Sequence, residues 1–238
     1  MLFDLKGKRR RVVQFVYLAL AILMGVGLVA FGIGSGVNGG LSDLFGGGNG
    51  SNKGDEVIKK KIDTAEKQLQ ANPKNASALA QVIRGHYQLA TAQSDTTGQF
   101  TKDATADLLG AANAWERYLA TKPAKPDLGL ARVMVQDYSG LAQLTQEATA
   151  KTRYWTGAAS AAELIAAAKP SPQNYVALVQ FATLAGQTNK ADLAGKKAVS
   201  LAPKSQRKTV EQAVASAKAA GQSQASGGTG GAPTGTAP

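Results

Sequence analysis

The chain has 238 residues, of which 44% are hydrophobic, 18% charged and 6% aromatic. It contains no cysteine and one histidine, which excludes disulfides, cysteine-ligated metals, thiol nucleophiles and paired-histidine metal sites. The formal net charge is +11, with 27 basic against 16 acidic residues. This length suits one folded domain with additional segments, and the apolar content excludes a wholly disordered chain.

The N-terminal segment joins a basic stretch to a long uncharged run. Residues 12–33 contain no charged side chain, and a helix of that length crosses about 30 Å of hydrocarbon. The pattern predicts one transmembrane helix at 12–33. Residues 1–11 are predicted to stay in the cytoplasm because they are basic, and this leaves the rest of the chain on the extracytoplasmic side of the cell membrane. The cations that set this topology are Lys6, Lys8, Arg9, Arg10 and Arg11.

A cleavable signal peptide is the competing interpretation of the apolar run. Its apolar region has about 7–15 residues and ends in a small-x-small cleavage site. The run at 12–33 is longer, and Ala30-Phe31-Gly32 fits such a site poorly. The sequence therefore favours an uncleaved anchor.

Two further segments have the composition of flexible chain. Residues 34–54 are dominated by glycine, which predicts a linker between the membrane and a folded domain. Residues 221–238 carry no charge and little apolar bulk, which predicts a disordered tail. The folded domain is expected at 55–220, a length that can bury a core without disulfides or metals.

Prolines divide this predicted domain into units. Apolar residues recur every three or four positions, in two helical patterns per unit, and no segment alternates in the manner of a strand. The sequence thus predicts an all-α domain of about eight helices. Each unit ends in an apolar stretch, a short polar step and a proline that cannot continue the helix. These prolines are Pro73, Pro123, Pro170 and Pro203.

Small and large side chains are expected to have different places between these helices. Ala111, Ala158 and Ala191 are expected to let helices approach closely. Trp115 and Trp155 are expected to fill the wider gaps, where each buried ring contributes a few kcal/mol at roughly 25 cal/mol per Å².

The units resemble the tetratricopeptide repeat family, in its membrane-anchored bacterial form. The match is closest in residues 172–203, and the residues that carry it are Tyr175, Leu178, Gly186, Ala191 and Pro203. Residues 76–123 and 127–170 match less closely, and the first exceeds the family's unit of about 34 residues by about 14. The resemblance implies a short helical solenoid behind one transmembrane helix.

The same resemblance implies a protein-binding groove lined by the first helix of each unit. In the family register, the groove residues are Arg84, Tyr87, Gln88, Val135, Tyr138, Gln180 and Thr183. The family's clamp for C-terminal carboxylates is absent, because Ala80, Ala131 and Val176 occupy its positions. The layout is similar to that of membrane-tethered proteins beside the bacterial secretion translocon, which implies a translocon, a chaperone or a secreted client as partner.

Nothing in the sequence points to catalysis or to a cofactor. His86 has no second histidine or cysteine with which to bind a metal, and it is expected at a packed or groove-edge position. Asp103 and Asp107 stand four apart on one predicted helix face, where such carboxylates are usually solvated. We therefore expect no enzyme activity, no cofactor, no metal site and no nucleic-acid binding.

The sequence is compatible with two functions. The first is a membrane-anchored adaptor that binds proteins or peptides and assists secretion or envelope protein folding. The second is a structural spacer subunit of an envelope complex. The basic run Lys59-Lys60-Lys61 fits an exposed helix face, with contact to anionic lipid as the alternative.

Overall fold

The computed structural model describes residues 51–225, with side chains described for 54–224. Eight α-helices make up this part of the chain. In chain order they are α1 (Ser51–Ala71), α2 (Ala76–Ala92), α3 (Thr105–Ala120), α4 (Leu128–Leu144), α5 (Ala148–Ala168), α6 (Pro172–Leu184), α7 (Thr188–Leu201) and α8 (Arg207–Ala225). Short 3-10 turns precede α3 and α8. Residues 51–225 contain no strand, only an isolated bridge between Ser94 and Phe100, so the predicted all-α class is confirmed.

Proline and capping side chains set the ends of these helices. α1, α3, α5 and α7 each end shortly before one of the four predicted boundary prolines. The side chains of Asn75, Asp127 and Ser171 cap the N-termini of α2, α4 and α6, and each accepts a hydrogen bond from a backbone N–H of the first turn. Such a cap stabilises a helix by about 1 kcal/mol. The caps thus mark alternate helices, one at the start of each predicted unit.

The turn between α6 and α7 needs a glycine. Gly186 has φ of 70°, a left-handed conformation that costs other residues free energy. Its N–H donates to the carbonyl of Thr183, and the next N–H, of Gln187, donates to that of Ala182. This arrangement ends α6 and confirms the predicted turn position of Gly186.

The helical part is longer at both ends than the predicted domain. α1 begins within the predicted linker, and α8 continues to Ala225, within the predicted tail. Once a packed helix exists, each further residue adds one hydrogen bond at little cost, so weak helix formers at its ends can join it. The predicted transmembrane helix at 12–33 and the basic stretch at 1–11 lie outside the described residues. Within 51–225, none of the helices has the length and apolar character needed to cross a membrane.

The helices pack mainly on their neighbours in the chain. Each contacts the one before and the one after, α2 also contacts α4, and α8 packs more closely on α6 than on α7. Trp115 is 2% exposed, and its ring stacks on that of Tyr118 at 5.3 Å between centroids. Trp155 is also buried, with its ring 6.4 Å from that of Phe181. The predicted burial of both tryptophans is confirmed, as is that of Ala111, Ala158 and Ala191.

Candidate protein-binding surface

Arg84, Tyr87 and Gln88 lie along α2, and all three are partly accessible. The Arg84 side chain is 42% exposed, and its Nη2 lies 2.6 Å from Oδ2 of Asp127. The other oxygen of Asp127 accepts two backbone N–H groups from the first turn of α4. Arg84 therefore ties α2 to the start of α4, and a partner that binds this guanidinium has to share it with Asp127.

Tyr87 is held by aromatic packing. Its ring meets that of Phe100 edge to face, at 6.0 Å between centroids and an interplanar angle of 73°. Burial raises the pKa of Tyr87 to about 12, and the nearby carboxyl of Asp137 contributes in the same direction. The phenol is consequently neutral at physiological pH.

Val135 and Tyr138 are buried in the domain. Tyr138 is 6% exposed, and its ring packs over Gly157 of α5, where an added Cβ would stand 2.8 Å from the ring. Burial also raises the pKa of Tyr138, and the carboxylate of Glu116 adds to the effect. The expectation that these two side chains line an open groove is therefore wrong, because α4 turns Tyr138 toward α5.

The third part of the predicted groove lies against α8. Thr183 is 8% exposed, and its hydroxyl donates to the carbonyl of Val179 at 2.8 Å. A Cβ added at Gly221 of α8 would stand 2.8 Å from Cβ of Thr183 and 3.2 Å from the carbonyl oxygen of Gln180. Because α8 covers this part of α6, Thr183 is not accessible either, and Gln180 is partly accessible. The accessible first-helix residues that lie together are those of α2.

His86 and Asp107 form a bonded cluster that the sequence did not reveal. His86 Nδ1 lies 2.9 Å from Oδ1 of Asp107, and Gln93 Nε2 donates to the other oxygen at 2.8 Å. The predicted solvation of Asp107 is therefore wrong, whereas Asp103 is exposed as expected. Pairing of a histidine with a carboxylate across α2 and α3 orients the ring. Within the described residues, no group of three or more His, Cys, Asp or Glu side chains could hold a metal ion.

Asp137 is a buried carboxyl that the sequence analysis missed. It is 0% exposed, and neither of its oxygens has a hydrogen-bond partner in the described part of the chain. Burial raises its pKa from 3.8 to about 8, because an unpaired charge is costly away from water. The available signal was its spacing, since Asp137 continues the buried row of Leu130, Met134 and Leu141.

Comparison of this chain with protein-family models, with curated proteins and with solved structures finds no match.

Proposed function

We propose that this chain is a single-pass membrane-anchored adaptor whose helical domain binds another protein on the extracytoplasmic side. In this proposal the domain is a short tetratricopeptide-like stack. The observation that carries it is the alternation of capped and uncapped helices. Side-chain caps begin α2, α4 and α6, and each of these is followed by a partner helix with a buried alanine. The alternation agrees with three helix–turn–helix units followed by a terminal helix, α8.

The binding surface in this proposal is the accessible face of α2. Arg84, Tyr87 and Gln88 offer a cation, part of an aromatic side chain and an amide within about one helical turn. Arginine and tyrosine are enriched at the centres of protein interfaces, where they combine apolar contact with hydrogen bonding. The surface thus suits a protein segment, and a translocon subunit, a chaperone or a secreted client is the proposed class of partner.

The anchor and its orientation are tested with single cysteines, since the chain has none of its own. Ser216 is exposed on α8, and Leu5 lies in the predicted cytoplasmic stretch. In intact cells, a membrane-impermeant maleimide should label Ser216→Cys at once and Leu5→Cys only after lysis. If both cysteine variants, or neither of them, are labelled in intact cells, the proposed topology is contradicted.

The binding role is tested by photocrosslinking in cells from position 88. Gln88 is partly accessible on α2, and Asn113, an exposed amide on α3, is the matched control. An adaptor should give a discrete adduct from Gln88 alone, and Arg84→Ala should reduce its yield. Adducts of equal yield from both positions would contradict a binding role for α2.

The second candidate function is a structural spacer within an envelope complex. The burial of Val135, Tyr138 and Thr183 favours it, because it leaves little open surface on the first helices. A spacer should keep its assembly when Arg84 and Gln88 are both replaced by alanine. Loss of the assembled complex in that double variant would favour the adaptor.

A further inference from the structure

An open cleft of about 800 Å³ lies between α7 and α8. It is lined along α7 from Asp192 to Ser200 and along α8 from Arg207 to Lys218, which corresponds to about 12–17 Å of helix. The two helices touch where Val214 packs on Gly195, with its Cγ1 2.8 Å from the place of an added Cβ. With Val199, these residues give the cleft an apolar floor.

Basic side chains are frequent in this part of the chain, and three of them line the cleft. Between residues 190 and 218 there are seven basic and two acidic side chains. They are Lys190, Lys196, Lys197, Lys204, Arg207, Lys208 and Lys218, against Asp192 and Glu211. Lys218 pairs with Asp192, and Lys190 pairs with Glu163. The other five cations form no ion pair within the described residues, and two of them, Lys196 and Arg207, line the cleft. Glu211 also lines it without an ion pair among these residues, and the hydrogen bond from Lys218, together with the charge of Lys196, lowers the pKa of Asp192.

An exposed leucine adjoins the cleft. Leu193 is 67% exposed, and it lies in the same row of α7 as Ser200, because residues seven apart share a helix face. Only Val57, on α1, is a comparably exposed large hydrophobic side chain in the described part of the chain. The cleft lining thus holds three cations and two carboxylates, a small excess of positive charge, beside apolar surface that no described helix covers.

We propose that the α7–α8 cleft, with Leu193 at its edge, is a docking site for an acidic amphipathic helix of another protein. Each earlier helix contacts the one that follows it, whereas α8 is the last described helix and packs mainly on α6. A helix of about two to three turns would fit the length of the cleft. Its apolar residues would contact Val199, Val214 and Leu193, and its carboxylates would pair with Lys196 and Arg207.

Charge complementarity distinguishes this occupant from the chain's own C-terminus. Residues 226–238 contain no acidic and no large apolar residue, so they offer neither feature that the cleft requires. The site is separate from the α2 surface, and it does not depend on the membrane anchor. Crosslinking from Gln88 and binding at the α7–α8 cleft can therefore fail independently.

The test uses the full chain in nanodiscs of zwitterionic phosphatidylcholine. The probe is a fluorescent peptide of about 15 residues with leucines along one helical face and glutamates on both sides of them. We expect saturable binding by fluorescence anisotropy, weakened roughly tenfold when Lys196→Glu and Arg207→Glu are combined. Leu193→Gln should weaken binding by about threefold, since less apolar area is buried.

Matched controls exist for both changes. Lys60→Glu combined with Lys61→Glu alters the charge of the chain equally on the exposed face of α1, and Val57→Gln replaces the other exposed hydrophobic side chain. These controls should leave the affinity unchanged, and a scrambled peptide of the same composition should bind more weakly. Circular dichroism melts establish that all variants fold.

Four outcomes would overturn the proposal. The first is an equal loss in the cleft and control variants, and the second is equal binding of the scrambled peptide. The third is quenching of a fluorophore at Ser200→Cys by spin-labelled phosphatidylglycerol without peptide binding, which would assign the face to lipid. The fourth is that the peptide does not bind and that the cleft variant sediments differently from the parent chain when no peptide is present. This result would assign the α7–α8 cleft to self-association.

Discussion

The guanidinium of Arg84 on α2 lies 2.6 Å from the carboxylate of Asp127, which also caps α4. One carboxylate thus does two things: it joins two helices that are not adjacent in the chain, and it satisfies two backbone N–H groups at the start of the second. The two interactions contribute different amounts to the free energy of unfolding. A cap contributes about 1 kcal/mol, whereas an ion pair of half-exposed side chains contributes less.

Asp127→Ala is therefore expected to lower the free energy of unfolding by about 1–2 kcal/mol, and Arg84→Ala by less than about 1 kcal/mol. The measurement is urea unfolding of the full chain in detergent micelles, followed by tryptophan fluorescence. Asp103→Ala, at an exposed carboxylate, is the control. A double variant that loses the simple sum of the two single losses would mean that the pair has no coupling energy.

Asp137 predicts a stability that depends on pH. Its folded pKa of about 8 lies above the ordinary value of 3.8, so the folded state holds a proton that the unfolded state releases between these values. The contribution of protonated Asp137 to the free energy of unfolding is fully present below about pH 4, and it is lost as the pH rises toward 8. The expected slope is about 1.4 kcal/mol per pH unit over that range.

This slope is isolated by comparing the parent chain with Asp137→Asn. Asparagine keeps the shape of the side chain and does not titrate, so the difference in unfolding free energy between the two should change steadily between pH 5 and 8. Asp103→Asn, at an exposed carboxylate, serves as the reference substitution. A difference that stays constant over this range would show that Asp137 is ionised in the folded state.

The contact of Tyr138 with α5 predicts intolerance of a side chain at Gly157. Gly157→Ala would place a Cβ 2.8 Å from a rigid ring, and we expect a net destabilisation of about 1–3 kcal/mol despite the gain in helix propensity. Gly54→Ala on α1 meets open space, and it should stabilise the chain by up to about 1 kcal/mol. Thermal melts of both variants give the comparison. If Tyr138→Leu fails to restore tolerance of Gly157→Ala, the ring is not the cause.

The stacked pair of Trp115 and Tyr118 predicts a large loss on truncation. Trp115→Ala removes a side chain that is 2% exposed, and the cavity should destabilise the domain by about 3–5 kcal/mol. Leu193→Ala truncates a side chain that is 67% exposed, and it should cost less than about 0.5 kcal/mol. Both are measured by circular dichroism melts. An unmoved melting curve for Trp115→Ala would contradict the central packing of α3.

Much of the fold could be predicted from the sequence because its determinants are local. Proline ends a helix wherever it falls, and apolar spacing identifies the buried face, so helix number and the burial of Trp115 and Trp155 followed. The binding surface depends on how distant helices meet. Whether Tyr138 faces solvent depends on Gly157 of α5, and whether Thr183 does depends on Gly221 of α8. No local pattern encodes either contact.

The buried carboxyl shows a different limit. The spacing of Asp137 places it at a core position of α4. Hydrophobic periodicity is read from apolar residues, however, so it does not identify a single polar residue in the buried row. Asp107 illustrates the converse, because its partners His86 and Gln93 come from another helix and the loop after it. In both cases the missing information was the side chain's surroundings.

The neighbour-to-neighbour packing of the helices has a consequence for how the chain acquires its structure. Contacts between elements close in sequence form without a large loss of chain entropy, so such domains fold rapidly. α1 and α2 can pair before the residues of α8 have been synthesised, and each later helix then docks on a surface that is already ordered. The last helix differs from the others because its main contact is with α6, two helices earlier in the chain, rather than with α7. The packing of α8 on α6, where Gly221 contacts Thr183, is consequently expected as the final step of folding.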